Sequence, residues 1–138
     1  MIETVHQPVI AVVDDDTVYQ FTASRTLKAT KLTDQILQFP NGHEALAFLN
    51  DHAGDPGKLP DIIFLDINMP ITDGWMFLDE FRKLKEEFSK KMLIYVVSSS
   101  IDPRDLSRAR NNPEVSDYVE KPITLKKFSE LLRGFSTR

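Results

Sequence analysis

The chain has 138 residues, a net charge of −4 and no cysteine, with 41% apolar and 28% charged side chains. That length suits one domain with a full-sized core, and the composition is that of a soluble globular chain. Disulfides and thiolate metal sites are excluded, no apolar run reaches membrane-spanning length, no signal-peptide pattern opens the chain, and the acidic balance argues against a dedicated nucleic-acid binder. The expected location is the cytoplasm, with no membrane partner.

Val9–Val13 is an unbroken apolar run of the kind buried on both faces of a parallel sheet, and it ends at Asp14-Asp15-Asp16. A helix is expected next, with Thr17 as N-cap and Gln20 closing a capping box, ending near Thr30 or Lys31. Ile36–Phe39 reads as the second strand. Asn41 caps a second helix that turns Ala45, Leu46, Phe48 and Leu49 inward. Asp55-Pro56-Gly57 lies in the loop that follows.

Ile62–Leu65 is the central strand, fenced by Pro60 and Pro70 and ending on Asp66. Asp73-Gly74 leads into the clearest helix, with Phe77, Leu78, Phe81, Leu84 and Phe88 at helical spacing. Leu93–Val97 is the fourth strand and runs into Ser98-Ser99-Ser100. Asp102 caps the fourth helix, with Pro103 in its first position. That helix has a thin apolar face, chiefly Leu106 and Ala109, and Asn111-Asn112-Pro113 stops it. Asp117–Glu120 is a short fifth strand, followed by Lys121-Pro122. Leu125, Phe128, Leu131, Leu132 and Phe135 form the inward face of the last helix.

Alternation of strand and helix implies a parallel sheet with helices on both faces and right-handed crossovers. In such a sheet all the strand C-termini lie on one edge, where ligands collect. Four of them carry polar groups: Asp14-Asp15, Asp66, Ser98 and Lys121. Taken singly, Lys121 reads as a surface lysine, Ser98 as a strand end and Asp66 as a turn former. Together they read differently. Clustered carboxylates raise one another's pKa, and a divalent cation such as Mg²⁺ relieves the repulsion. A lysine and a hydroxyl beside them suit a phosphoryl group.

The motifs Val12-Val13-Asp14-Asp15-Asp16, Phe64-Leu65-Asp66-Ile67-Asn68-Met69-Pro70 with Asp73-Gly74, Val96-Val97-Ser98-Ser99, and Tyr118-Val119-Glu120-Lys121-Pro122 stand in that order. The sequence resembles a receiver domain of the two-component response-regulator family, in its stand-alone, chemotaxis-type form. The resemblance spans residues 8–135, leaving 1–7 and 136–138 as short tails with no output domain. It implies a flavodoxin-like (βα)5 α/β fold with strand order 2-1-3-4-5, for which the chemotaxis receiver is a known example. It implies that Asp66 accepts a phosphoryl group from a sensor histidine kinase, a histidine phosphotransfer protein or a small acyl phosphate. Asp15 would bind Mg²⁺ directly, Asp14 through a water, and Asn68 through its backbone carbonyl. Lys121 would pair with the phosphoryl group and Ser98 would hydrogen-bond it. Tyr118 would be the aromatic whose rotamer follows that switch. Ser99 would leave room beside Asp66. The protein would be a signalling switch read by a downstream partner, and not an enzyme in the ordinary sense. Longer loops at Asp55-Pro56-Gly57 and Phe88-Ser89-Lys90-Lys91 depart from the commonest members, and both are expected away from the site.

Other readings compete. Asp14-Asp15-Asp16-Thr17-Val18 satisfies the first motif of haloacid-dehalogenase-like phosphohydrolases, with Asp14 as nucleophile and Asp16 as acid/base. That reading lacks the later acidic motif and leaves Asp66 without a role. A non-phosphorylated pseudo-receiver would not need the acidic pair, Asp66, Ser98 and Lys121 together. A flavodoxin would need a phosphate loop where this chain is acidic.

Overall fold

A computed structural model describes residues 7–69, 73–99 and 102–136. Pro70 and Ser100, named above as motif and strand-end residues, lie outside the described residues. The elements are β1 (Val9–Val13), α1 (Thr17–Ala29), β2 (Gln35–Phe39), α2 (Gly42–Asp51), β3 (Ile62–Asp66), α3 (Gly74–Leu84), β4 (Leu93–Ser98), α4 (Pro103–Arg110), β5 (Asp117–Glu120) and α5 (Leu125–Ser136). The five strands form one parallel sheet in the order β2-β1-β3-β4-β5, the flavodoxin-like order expected. Among the described residues no helix is long and apolar enough to cross a membrane.

Strand side chains alternate between faces, and the two halves of the core follow from that. Ala11, Val13, Ile63, Leu65, Ile94 and Val96 pack under α2, α3 and α4, against Ala45, Leu49, Phe77, Leu78, Phe81 and Ala109. Ile10, Val12, Ile62, Phe64, Tyr95 and Val97 pack under α1 and α5, against Ala23, Leu27, Phe128 and Leu132. β1 and β3 are buried along their whole length because both faces are covered. Parity then sorts the polar strand ends. Asp14 and Asp66 continue the series that faces α1 and α5, whereas Ser98 continues the one that faces α3 and α4.

Helix starts are set by short polar side chains. Asn41 accepts a hydrogen bond from Glu44 N at 2.8 Å, as expected for the cap of α2. Asp73 caps α3 through Met76 N, and Asp102 caps α4 through Arg104 N with Pro103 behind it. α1 differs from expectation. Its N-cap is Asp16, whose Oδ1 accepts from Tyr19 N at 3.0 Å, and Thr17 is the first helical residue. Gln20 closes no box, because it lies on the buried stripe with Ala23 and Leu27 and its amide is used inside the fold.

Two inward assignments also change. α3 ends at Leu84 and a 3₁₀ turn, Lys85–Glu87, follows, so Phe88 is buried from extended backbone and not from the helix. There it meets Phe81 at a ring-centroid separation of 5.6 Å. Leu125, expected inward, is 47% exposed in the first turn of α5. The apolar face of that helix is carried by the other four expected residues, Phe128 and Leu132 in the core and Leu131 and Phe135 packed against it.

The two long loops meet at the N-terminal edge of the sheet, opposite the strand ends that carry Asp14 and Asp66. Ser89 N donates to Ala53 O at 2.7 Å, and Lys90 Nζ donates to Leu59 O at 2.8 Å. Asp61 anchors this edge. Its Oδ2 accepts from Val9 N at 2.7 Å and its Oδ1 pairs with Lys90 Nζ at 3.0 Å, in a buried setting.

Candidate functional site

The site is built where β1, β3 and β4 end. Asp14 follows β1 and is buried; Asp66 is the last residue of β3 and is 5% exposed. Asp15 is exposed at the rim. One carboxylate oxygen from each of Asp14, Asp15 and Asp66 lies within 4.8 Å of the others, so the three could hold one metal ion together. The expected acidic cluster is therefore brought together. Asp16, the acid/base of the phosphohydrolase alternative, is engaged as the α1 cap.

Each buried carboxylate is fixed by the chain around it. Asp14 Oδ1 accepts from Asp16 N at 2.9 Å, and Asp66 Oδ1 accepts from Asn68 N at 3.0 Å. Both are short local turns that tie a strand-end side chain to the backbone two residues on. Their other oxygens face a cation. Lys121 Nζ stands 2.7 Å from Asp14 Oδ2 and 3.6 Å from Asp66 Oδ2. Lys121 itself is held by its backbone N, which donates to Ser98 O at 2.8 Å and carries the β4–β5 ladder one residue further. The peptide bond to Pro122 is cis.

Electrostatics at the pair are asymmetric. Burial is the largest influence on Asp66 and pushes its carboxyl up to about 6. The Asn68 N–H opposes this, Asp14 and Asp15 add to it, and Lys121 opposes it. At Lys121 burial pulls the ammonium down, yet Asp14 and Asp66 outweigh it and the net shift is upward. The ammonium thus stays charged among carboxylates that compete for it.

Ser98 is fully buried at the end of β4, and its Oγ accepts from Asn68 Nδ2 at 3.3 Å. Tyr118 is half-buried on β5, paired in register with Val96, and packs against the core under α3 and α4. Ser98 and Tyr118 therefore share a face of the sheet, as their parity requires. Trp75 is buried in the same layer, with the Arg108 guanidinium of α4 4.4 Å from its ring centre.

Three contributions escaped the sequence reading. The Asn68 side chain bridges the Asp66 loop to Ser98, where only its backbone carbonyl was expected to matter. Gln20 Nε2 reaches the carbonyls of Val12 at 3.0 Å, Asp14 at 3.1 Å and Phe39 at 3.0 Å, binding α1 to the ends of β1 and β2. Its position on the buried stripe was the available signal, since an amide there needs internal partners. Tyr19 carries Lys121 Nζ 4.1 Å from its ring centre. Nothing in the local pattern marks Tyr19, because its partner is 102 positions away in the sequence.

Known proteins resemble this arrangement. The crystal structure of a two-component response regulator from Cytophaga hutchinsonii superposes with a TM-score of 0.86 at 29% identity, covering 96% of this chain and 100% of that one. The Vibrio cholerae chemotaxis protein CheY4 shares the fold with a TM-score of 0.76 at 19% identity, covering 94% of this chain and 99% of its own. Among sequences, the probable methanogenesis regulatory protein FilR2 of Methanothrix harundinacea is 27% identical over 86% of this chain and 74% of its own length. The sensor histidine kinase CheAY of Helicobacter pylori is 31% identical over 84% of this chain, which spans only 13% of that kinase. The family model for the response regulator receiver domain matches residues 10–133. The chain belongs to the response regulator receiver domain family.

Proposed function

We propose that Asp66 accepts a phosphoryl group, from a histidine kinase, a histidine phosphotransfer protein or a small acyl phosphate, and that the acyl phosphate so formed switches a protein-binding face. The observation that carries this reading is the convergence of Asp14, Asp15 and Asp66 around Lys121 Nζ. The donor set of carboxylates, with the Asn68 carbonyl as the expected fourth protein ligand, suits a hard cation, and Mg²⁺ is the ion proposed. When bound, Mg²⁺ would neutralise charge on the phosphoryl oxygens.

The remaining work falls to the chain's own residues. Asp66, ionised at neutral pH, attacks phosphorus with a carboxylate oxygen. The bond from phosphorus to the donor nitrogen or oxygen breaks, and the donor leaves with that electron pair. Lys121 is already 3.6 Å from Asp66 Oδ2 and has only to exchange Asp14 for a phosphoryl oxygen. Asn68 N holds the Asp66 side chain during the approach. Ser98 Oγ then donates to the phosphoryl group in place of accepting from Asn68. Its movement opens space on the face it shares with Tyr118, beside α4. Such a shift needs only a few kcal/mol of differential interaction. α4 suits the moving part because its apolar face is small, with Ala109 its one buried residue. A downstream protein would read the altered α4–β5–α5 face.

The test is incubation with Mg²⁺ and acetyl phosphate, followed by intact mass and peptide mapping. One phosphoryl group on Asp66, absent from Asp66→Asn, is the expected result. Label retained in Asp66→Asn, or mapped to Asp14, would overturn the assignment.

A further inference from the structure

Resting on the reading of Asp66 and Lys121 above, we infer that Tyr19 is a positioning residue of the site, whose ring face holds the Lys121 ammonium against the carboxylate pair. Lys121 projects from the end of β5, an edge strand, and must reach across β4 to Asp66 on β3 and Asp14 beyond β1. A four-carbon stem that long samples many rotamers unless its tip is held. Three groups meet the tip: Asp14 Oδ2 at 2.7 Å, Asp66 Oδ2 at 3.6 Å and the Tyr19 ring at 4.1 Å from its centre. An ammonium has three N–H donors, and these are three electron-rich partners for it, two carboxylate oxygens and the π face.

The ring is itself well placed for this duty. Tyr19 lies in the first turn of α1, where its backbone N is taken by the Asp16 cap. Its side chain packs against the cluster under α1 and α5, the face toward which Asp14 and Asp66 point. α1 is tied to the ends of β1 and β2 by Gln20. The ring therefore moves with the strand that carries Asp14. It also differs from the two carboxylates in one respect. Phosphorylation must change the bonds of Lys121 to Asp14 and Asp66, whereas contact with a neutral ring can persist while the ammonium slides from one oxygen to another. The ring would act as a rail for that exchange, limiting access of water to the ammonium throughout.

Two measurements on the full chain decide it. The ε-methylene protons of Lys121 should show an upfield ring-current shift by NMR, kept in Tyr19→Phe and lost in Tyr19→Leu. Asp66 labelling by acetyl phosphate should slow about five- to tenfold in Tyr19→Leu, and most of the rate should return in Tyr19→Phe. In a Lys121→Ala background the Tyr19→Leu change should have little further effect, as a residue acting through Lys121 requires. Absence of the ring-current shift in the wild-type protein would overturn the inference. So would a Tyr19→Phe variant as slow as Tyr19→Leu, or an equal loss in the Lys121→Ala background. A wild-type protein that shows the shift but takes no label at Asp66 would instead strike the phosphoryl-acceptor reading, with the placement of Lys121 by Tyr19 upheld.

Discussion

Gly74 stands directly against the backbone of Asp66: a Cβ at position 74 would lie 2.9 Å from the Asp66 carbonyl oxygen and 2.7 Å from Ile67 Cα. Its own N donates to Ile67 O at 3.3 Å, so the first turn of α3 is drawn onto the end of β3. The neighbours are backbone atoms, which cannot swing aside as a flexible side chain would.

Gly74→Ala should therefore destabilise the fold by about 1–3 kcal/mol, the usual cost of overpacking. The opposite sign is expected at Gly134, which lies in α5 and has nothing within 4 Å of an added Cβ. There Gly→Ala should stabilise by about 0.5–1 kcal/mol through helix propensity. Urea unfolding of the two variants checks the pair. Gly74→Ala should also slow labelling of Asp66, because the clash displaces the backbone that carries it.

The raised pKa of Asp66 makes a stability prediction. In the metal-free protein the folded state binds this proton more tightly than the unfolded chain between the ordinary value of 3.8 and about 6. Stability contributed by Asp66 is thus greatest below 3.8 and falls as pH rises through about 6. At neutral pH the buried carboxylate is a net cost. Asp66→Asn should then be more stable than wild type at neutral pH by on the order of 1–2 kcal/mol, with the gap closing toward pH ~4. Carboxyl ¹³C NMR should show Asp66 titrating near 6 without metal, and lower with Mg²⁺ added. A midpoint near 4 without metal would contradict the account.

At the far edge of the sheet, Asp61 should prove a stability residue with no part in phosphoryl chemistry. Its side chain joins Val9 N on β1 to Lys90 in the loop before β4, and its backbone joins both strands through Val9 O and Leu93 N. Asp61→Ala leaves a buried N–H and a half-buried ammonium without this carboxylate. A loss of about 2–4 kcal/mol is expected in denaturant unfolding. Labelling of the folded fraction at Asp66 should stay at the wild-type rate. A loss under about 1 kcal/mol would mean that water replaces the carboxylate at that edge.

Much of this protein was legible from local pattern. Continuous apolar runs at Val9–Val13 and Ile62–Leu65 announced buried strands, the run Leu93–Val97 announced the fourth strand, and Asn41 and Asp102 announced helix starts. The parallel topology followed from alternation, and it alone placed Asp14, Asp15, Asp66, Ser98 and Lys121 on one edge. Local signals failed where two of them competed. Only Thr17 was expected to cap α1, beside an equally short polar neighbour, and the extended backbone at Asp16, with its carboxylate on Tyr19 N, makes the aspartate the cap. Helical spacing reached Phe88, but the chain had already left the helix at Leu84 and kept the ring buried by another route. Beyond local signals lay every contact between residues distant in sequence: Gln20 on Phe39, Asn68 on Ser98, Asp61 on Val9, Tyr19 on Lys121. Period and capping are properties of a few neighbouring residues and can be read along the chain. A ring over an ammonium 102 positions away exists only once the fold has fixed the distance between α1 and the end of β5, and packing, not pattern, sets that distance.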